Sequence, residues 1–359
     1  MRFNYHNPVK IHFGVKWLEA VENLAQRLKD TKFLLITSQG FSKRGLSAQI
    51  QNVLAKQLAG VVDEIAPNPQ IKHLQSIKAK LCDFDAIIAL GGGSVIDSAK
   101  FFAYKSSFTQ NFKSIEFSTP NNGAQERAAP IYAFATTSGT SSELTHWATL
   151  WDNDAFVKHS LSDEVLYPKE AFYDANLTLS LPRQTTIYTA LDALSHSFES
   201  IWNNNANPIS THYALMAIEI ILRDLVELSQ NLHSLQLRSN LMLASIYAGL
   251  AFSNTQTALA HALSYPLTMR FGTPHGLACS FSLPLLLESL PRKSEAYALL
   301  SPFKPQLLQI FDKLEISISP KDYGLNDEFI DEIFSTLNSR AKNGVFDINL
   351  VQNAIKQQL

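Results

Sequence analysis

The chain has 359 residues, 46% of them hydrophobic and 17% charged, with a formal net charge of −2. At about 100–200 residues per domain this length implies two globular domains, and the near-neutral balance, with no basic run, excludes an electrostatic case for a nucleic-acid partner. No apolar run approaches the roughly 20 residues that span a bilayer, and the two cysteines, Cys82 and Cys279, make no disulfide framework. The expected setting is therefore a soluble enzyme with no membrane partner in a reducing cytoplasm.

The first fourteen residues alternate like a pair of strands and lack the apolar core of a signal peptide. Phe33–Thr37 is a short apolar run and predicts the first long strand, followed by a helical pattern over residues 46–58. Residues 61–65, 85–90 and 131–135 predict three more strands. Short apolar strands separated by helical patterns imply parallel βαβ units with both sheet faces covered.

After about residue 180 the texture changes. Ser180 and Pro182 read as a helix start, with a capping serine and an early proline. Leu, Ala and Ile then recur at helical spacing over 186–202, 212–228, 235–253 and 255–263, with Asn203–Pro208 as a polar connection. The expected organisation is an α/β dinucleotide-binding domain over residues 1–178 and an all-α metal- and substrate-binding domain over 179–359. Beyond Leu290 no motif reads chemically, and the composition suggests helices covering the metal domain.

Gly91, Gly92, Gly93 and Ser94 follow a predicted strand directly and open a helical pattern over 95–104. Glycines at such a junction let backbone N–H groups approach a phosphate at a helix N-terminus. The bland alternative is a tight turn that needs positive φ. Asp97 and Lys100, three apart on that helix, read by default as a surface ion pair. A second polar turn, residues 136–143, also follows a strand. Its hydroxyls, from Thr136, Thr137 and Ser141 among others, could line a nucleotide, or could simply cap a turn.

The helical half carries the sharper signal. Asp192 and His196 lie four apart and so project from one helix face, one turn apart. His261 sits in another helical run, and His275 precedes Gly276. One carboxylate and three imidazoles suit a divalent borderline metal, iron(II) or zinc, with room for substrate. The competing reading is an ordinary hydrogen-bonded Asp/His pair. The other histidines, His6, His12, His73, His146, His212 and His233, lack such spacing and read as structural or surface residues.

Taken together, Asn68-Pro69, the run from Gly91 to Lys100, the run from Thr136 to Glu143, the run from Leu191 to His196, and the His261 and His275-Gly276 pair resemble the iron-containing alcohol dehydrogenases, more distantly related to dehydroquinate synthase and glycerol dehydrogenase. The resemblance runs from the N-terminal strands to about residue 290. It implies a dehydroquinate synthase-like fold, an α/β nucleotide-binding domain with a parallel sheet plus an all-α metal domain, and an NAD(P)-dependent alcohol dehydrogenase activity. It also implies that Gly91, Gly92, Gly93 and Ser94 bind the cofactor diphosphate, with Asp97 near the nicotinamide end and Asn68 in the same cleft. Thr136, Thr137 and Ser141 would line the nucleotide, with Lys158 close by. Asp192, His196, His261 and His275 would hold iron(II) or zinc. Members of the family are usually homodimers or higher homo-oligomers.

Two departures stand out. A second histidine common in the family, four residues after the third ligand, is here Tyr265, so the proton relay runs through Tyr265, water or the cofactor ribose, or starts from a different group. The acidic residue that often meets the adenosine ribose is here Ser38, with Lys43 and Arg44 nearby, so NADP should be tolerated beside NAD. Ala148–Asp152, His261–Leu267 and Phe271–Gly276 further resemble the phosphonate-metabolism branch, which reduces phosphonoacetaldehyde to 2-hydroxyethylphosphonate. A dianionic head needs a cation or a helix N-terminus near the metal, and Arg270, Arg183 and Lys158 are the candidate cations, each with solvated surface charge as its alternative. Competing readings are a short-chain alcohol or diol dehydrogenase without phosphonate preference, and a nucleotide-binding protein with a degenerate site.

Overall fold

The computed structural model describes residues 2–104, 128–155 and 157–359. They divide into two compact units. One comprises Pro8–Thr137 and Ser142–Thr178, the other Met1–Asn7, Ser138–Ser141 and Leu179–Leu359.

The first unit holds a six-stranded sheet. In chain order its strands are β1 (Lys10–Phe13), β2 (Phe33–Ile36), β3 (Leu58–Val62), β4 (Ala86–Gly91) and β5 (Ile131–Ala135), joined by a later strand, Glu170–Tyr173. Between β5 and that strand lies an antiparallel hairpin, β6 (Trp147–Asp152) and β7 (Val157–Ser162), which makes Glu170–Tyr173 strand β8. The sheet order is β1-β8-β5-β4-β2-β3, and every pairing in it is parallel. Every residue of β2, β4, β5 and β8 is buried; both faces are covered, and β2, β4 and β5 therefore read as continuous apolar runs. The cover includes helices α1 (Trp17–Arg27), α2 (Gln39–Lys43), α3 (Leu46–Leu54), α4 (Ile71–Lys78) and α5 (Gly93–Ala103).

Three expectations change here. The opening residues form one strand, not a pair, because β1 pairs in parallel with distant β8. The strand expected at 61–65 lies at Leu58–Val62. It starts early because Ala55, at φ +47°, breaks the preceding helix and turns the chain. The hairpin β6–β7 and strand β8 were not expected; their polar or mixed residues carry no apolar run.

The second unit is helical, with no strand among its described residues. Its scaffold is α6 (Arg183–Trp202), α7 (Pro208–Gln230), α8 (Leu235–Thr255), α9 (Leu259–Phe271) and α10 (His275–Ser280). Five shorter helices follow: α11 (Leu283–Glu288), α12 (Glu295–Leu300), α13 (Lys304–Lys313), α14 (Asp327–Ser335) and α15 (Ile348–Lys356). No helix among the described residues is long and apolar enough to cross a membrane. Ser180 does not cap α6, which begins after Pro182 with no side-chain cap bond. Asn207 instead caps α7 in a reciprocal box with Ser210, and Pro208 fills the first helical position, where its missing N–H costs nothing.

From Ala190 to Trp202 every residue of α6 is buried, so its polar side chains are enclosed by apolar ones. Helix α10 docks on it by backbone contact. A Cβ placed on Gly276 would stand 1.8 Å from the Tyr188 carbonyl oxygen and 3.3 Å from the Asp192 Cβ. Only glycine permits that approach. Gly276→Ala should therefore destabilise the helical unit by at least about 1–3 kcal/mol, the usual range for overpacking. Calorimetry would show this as a lowered melting midpoint, and an unchanged midpoint would contradict the docking described.

Candidate metal centre and nucleotide-binding turn

Asp192 and His196 stand one turn apart on α6, and His275 begins α10, which Gly276 holds against α6. His261 comes from the first turn of α9. The structure brings all four together around a single atom. Asp192 Oδ1 lies 3.3 Å from His261 Nε2, 3.7 Å from His275 Nε2 and 3.8 Å from His196 Nε2. Only the first is near hydrogen-bonding distance, so the other two imidazoles face the carboxylate without bonding to it. Ligands about 2.0–2.1 Å from a tetrahedral ion are separated by roughly 3.3–3.4 Å, close to what is seen.

The electrostatics also ask for a cation. Asp192 and, two turns along α6, Glu199 are both buried carboxylates. Glu199 was absent from the sequence-based candidates. Its Oε2 lies 2.7 Å from His261 Nδ1, and the backbone N–H groups of Ala258 and His261 donate to it at 2.9 and 3.1 Å. Burial alone would raise both acids, yet the facing imidazoles and N–H donors hold both below the ordinary carboxylate range. Burial would likewise lower His261, but Glu199 and Asp192 together push it up to about 10. His196 follows its burial instead and falls to about 3, which leaves it neutral with a lone pair to offer. A proton on His261 or a divalent ion beside Asp192 meets the same demand for positive charge.

Orientation of the rings follows from their second nitrogens. With His261 Nδ1–H given to Glu199, its Nε2 faces Asp192, and an ion that displaces the proton there would take the Nε2 lone pair. Ser264 Oγ donates to the His261 carbonyl at 2.7 Å and stands 3.4 Å from His275 Nδ1. His196 Nδ1 has no hydrogen-bond partner among the described residues. Its ring is held flat by stacking on Phe252 at 3.9 Å and on His261 at 4.4 Å. His275 is the most accessible of the four, its side chain 32% exposed against 2–6% for the others. Tyr265 stacks on it, 7° from parallel at 5.9 Å.

Cys279, which the sequence reading used only to argue against disulfides, also reaches this centre. It stands one turn after His275 on α10, and its thiol lies 3.5 Å from Asp192 Oδ1. The ligand atoms of Asp192, His261, His275 and Cys279 all fall within 4.8 Å of one another. The spacing of His275 and Cys279 repeats that of Asp192 and His196, a signal that was present in the sequence.

The glycine turn belongs to the first unit. Gly91 ends β4, Gly92 precedes α5 and Gly93 opens it. None of the three has positive φ, so the tight-turn explanation fails. The need is for close approach: a Cβ on Gly91 would lie 2.5 Å from the Val95 side chain, and one on Gly92 2.9 Å from that of Thr137. The first N–H groups of α5, including those of Gly93 and Ser94, have no intrahelical acceptor and remain available to an anion. Thr136 N–H donates to the Gly91 carbonyl, joining the second polar turn to the first.

Asp97 and Lys100 are not the expected surface pair. Lys100 is fully buried, 3.9 Å from Asp97. Four oxygens share its three N–H groups: Ser142 O at 2.7 Å, Ser142 Oγ at 3.0 Å, Thr145 Oγ1 at 3.1 Å and Trp147 O at 2.5 Å. Asp97 accepts from Ser142 Oγ, and from Thr149 N–H at 2.8 Å. Burial lowers Lys100 to about 8 against the pull of Asp97 and Glu143. The ammonium is thus the hub that gathers residues 142–147 onto α5.

Other candidates separate. Ser38 precedes α2, with Arg44 folded over Phe41 beside it. Asn68 is exposed at φ +56°, a left-handed position that asparagine tolerates. Lys158 lies on β7 and adds positive potential at Asp97. Ser141, at φ +47°, belongs to the helical unit, where its hydroxyl donates to the Ser245 carbonyl at 2.7 Å. Arg270 is exposed, paired with Glu332 at 3.1 Å and lying over Phe329 at 4.1 Å. Arg183 opens α6, donates to the Ser229 carbonyl and lines a cavity of about 340 Å³ with Tyr188 and Leu277.

Comparison with known proteins supplies the context for this geometry. A family model described as iron-containing alcohol dehydrogenase matches residues 8–175. A second, for the C-terminal domain of the Fe-containing alcohol dehydrogenase family, matches residues 186–299. Sulfoacetaldehyde reductase of Bilophila wadsworthia (strain 3_1_6) is 30% identical over 291 residues, 79% of this chain and 74% of that protein. Alcohol dehydrogenase 4 of Saccharomyces cerevisiae is 29% identical over 289 residues, 79% of this chain and 75% of that one. Among solved structures, sulfoacetaldehyde reductase from Bifidobacterium kashiwanohense in complex with NAD+ superposes with a TM-score of 0.89 at 22% identity, covering 100% of this chain and 99% of that one.

Two substitutions test the two halves of this description. Glu199→Gln should weaken divalent-metal affinity by about 10–100-fold, the usual effect of removing a ligand's orienting partner. Chelator competition would measure it, with circular dichroism checking the fold. Lys100→Met should destabilise the first unit by about 3–5 kcal/mol, as when one partner of a buried pair is removed. A denaturation midpoint within error of wild type would exclude the hub role.

Proposed function

The chain belongs to the iron-containing alcohol dehydrogenase family, and from that premise we propose that it interconverts a short aldehyde and its primary alcohol. It does so with NAD(P) and with a divalent ion held by Asp192, His196, His261 and His275. The observation that carries this reading is the meeting of three imidazole Nε2 atoms at one carboxylate oxygen inside the helical unit. Bound in these places, the ion supplies Lewis acidity to a carbonyl oxygen and the nicotinamide supplies the reducing equivalent.

The chain's own residues have the following parts. Glu199 and Ser264 hold the His261 and His275 rings so that Nε2, not Nδ1, faces Asp192. The accessibility of His275 makes its side of the centre the approach for substrate. Tyr265, stacked on His275, brings a phenol to that approach, and its Oη is the group we assign to deliver the proton the alcohol product needs. In the other unit, Gly91, Gly92, Gly93 and Ser94 offer backbone N–H groups to the diphosphate, with Asp97, Thr136, Thr137 and Lys158 beside them. Ser38 and Asn68 take the adenosine end.

The finer reading is an aldehyde with an anionic head two carbons long, phosphonoacetaldehyde first. It is supported by the sequence strings around residues 148, 261 and 271, and by the Bilophila relative's name, which gives it a sulfonated aldehyde as substrate. Arg183 is the better candidate for the anionic head than Arg270, because it lines an open cavity with Leu277, two residues past His275.

The test is oxidation of NADH and NADPH by iron(II)-loaded protein with phosphonoacetaldehyde, sulfoacetaldehyde and propionaldehyde in parallel. A kcat/KM at least about tenfold higher for phosphonoacetaldehyde, a difference of about 1.4 kcal/mol in transition-state binding, is expected. Equal rates with propionaldehyde would leave a short-chain alcohol dehydrogenase and discard the anionic head. His261→Ala should abolish turnover while nucleotide binding, read by fluorescence titration, persists. Full activity in that variant after chelation would overturn the metal assignment.

A further inference from the structure

We propose that Cys279 is a fifth donor at the metal centre, its sulfur closing a four-coordinate site with Asp192, His261 and His275 around thiophilic divalent ions such as zinc or cobalt(II). The inference rests on the metal reading above and extends it to a residue outside the four-ligand set.

Geometry carries it. Helix α10 presents His275 and Cys279 one turn apart, and the backbone contact at Gly276 presses both against α6 where Asp192 projects. The thiol stands 3.5 Å from Asp192 Oδ1. With metal–sulfur and metal–oxygen bonds of about 2.3 and 2.0 Å, two ligands of a tetrahedral ion lie roughly 3.5 Å apart. The edge between His261 Nε2 and Asp192, 3.3 Å, satisfies the same tetrahedron. His196 Nε2, at 3.8 Å, is the donor farthest from that shared oxygen. Cys279 is wholly buried, so its thiol is enclosed by protein groups.

Chemistry then separates the ions. A thiolate favours zinc over harder ions, whereas three imidazoles and a carboxylate suit iron(II) and zinc alike. Binding through sulfur exchanges one proton: Cys279–SH and M²⁺ give the thiolate–M²⁺ bond, with H⁺ leaving to buffer and no change in oxidation state. A zinc ion so held has four protein ligands and no open position for an aldehyde, the arrangement of a structural site. The same pocket therefore offers two four-donor sets, His₃Asp and His₂AspCys, chosen by the ion, and the first leaves room for substrate with an ion that takes more than four ligands, such as iron(II).

The test uses the full chain loaded with cobalt(II), read by its visible and near-ultraviolet absorption. Wild type and Cys82→Ser should both show a thiolate-to-metal charge-transfer band, and Cys279→Ser and Cys279→Ala should lose it while keeping cobalt's visible bands. Zinc affinity by chelator competition should fall about tenfold or more in both Cys279 variants, and proton release on zinc binding should fall by one. Visible bands without charge transfer in wild type, with unchanged zinc affinity in both variants, would overturn the proposal and leave Cys279 as a hydrogen-bond donor to Asp192. No cobalt bands at all in wild type would overturn it together with the metal reading. The pair of variants guards against one misfolding, since either alone reports the band.

Discussion

The helical unit depends on two negative charges buried where negative charge is least welcome. Asp192, His196 and Glu199 occupy positions i, i+4 and i+7 of α6 and so form one stripe along a helix buried on every side between Ala190 and Trp202. An isolated carboxylate in such surroundings would neutralise or destabilise the fold. Here each acid faces imidazole, and the N-terminal N–H groups of α9 add to the field at Glu199. The positions of α9 and α10 follow from this constraint: each brings its histidine to the acid that needs it. The chemistry proposed for the centre is a use of that enclosed charge.

In both units the backbone, through glycine, sets how closely the parts approach. Gly92 lets the Thr137 side chain close against the strand-to-helix turn, and Gly276 lets α10 rest on a carbonyl of α6. Neither position has positive φ, so the reason for glycine is the missing Cβ and not the conformation. The same argument explains why an enclosed lysine can serve the first unit. Lys100 is saturated by acceptors from residues 142–147, all brought within reach by the path of the chain after β5.

What the sequence revealed and what it hid divide along that line. Buried parallel strands such as Phe33–Ile36 and Ala86–Gly91 were legible because their burial is written into consecutive apolar residues. Asp192 and His196 were legible because helical spacing makes them neighbours before any tertiary contact forms. Glu199 was hidden because its partners, His261 and the N–H of Ala258, are 62 and 59 residues away. A glutamate in a helix otherwise reads as solvated. Lys100 misled for the same reason, since hydropathy cannot register acceptors more than forty residues on. The hairpin β6–β7 was hidden by mixed composition, and the early start of β3 by a single left-handed residue, Ala55.

The three imidazoles are not equivalent, and the difference bears on how the centre accepts an ion. His261 is fixed by a carboxylate and His275 neighbours a hydroxyl, so the surroundings of their Nδ1 atoms direct their lone pairs. His196 has no such partner; its ring plane is fixed by Phe252 and His261, and its tautomer is not. Stacking constrains where the Nε2 atom lies but places no proton on Nδ1. Burial keeps the ring neutral, so nothing but the occupant of the centre decides which nitrogen carries the hydrogen. A centre built this way has three donors committed in advance, Asp192, His261 and His275, and lets the remaining position respond to the ion that arrives.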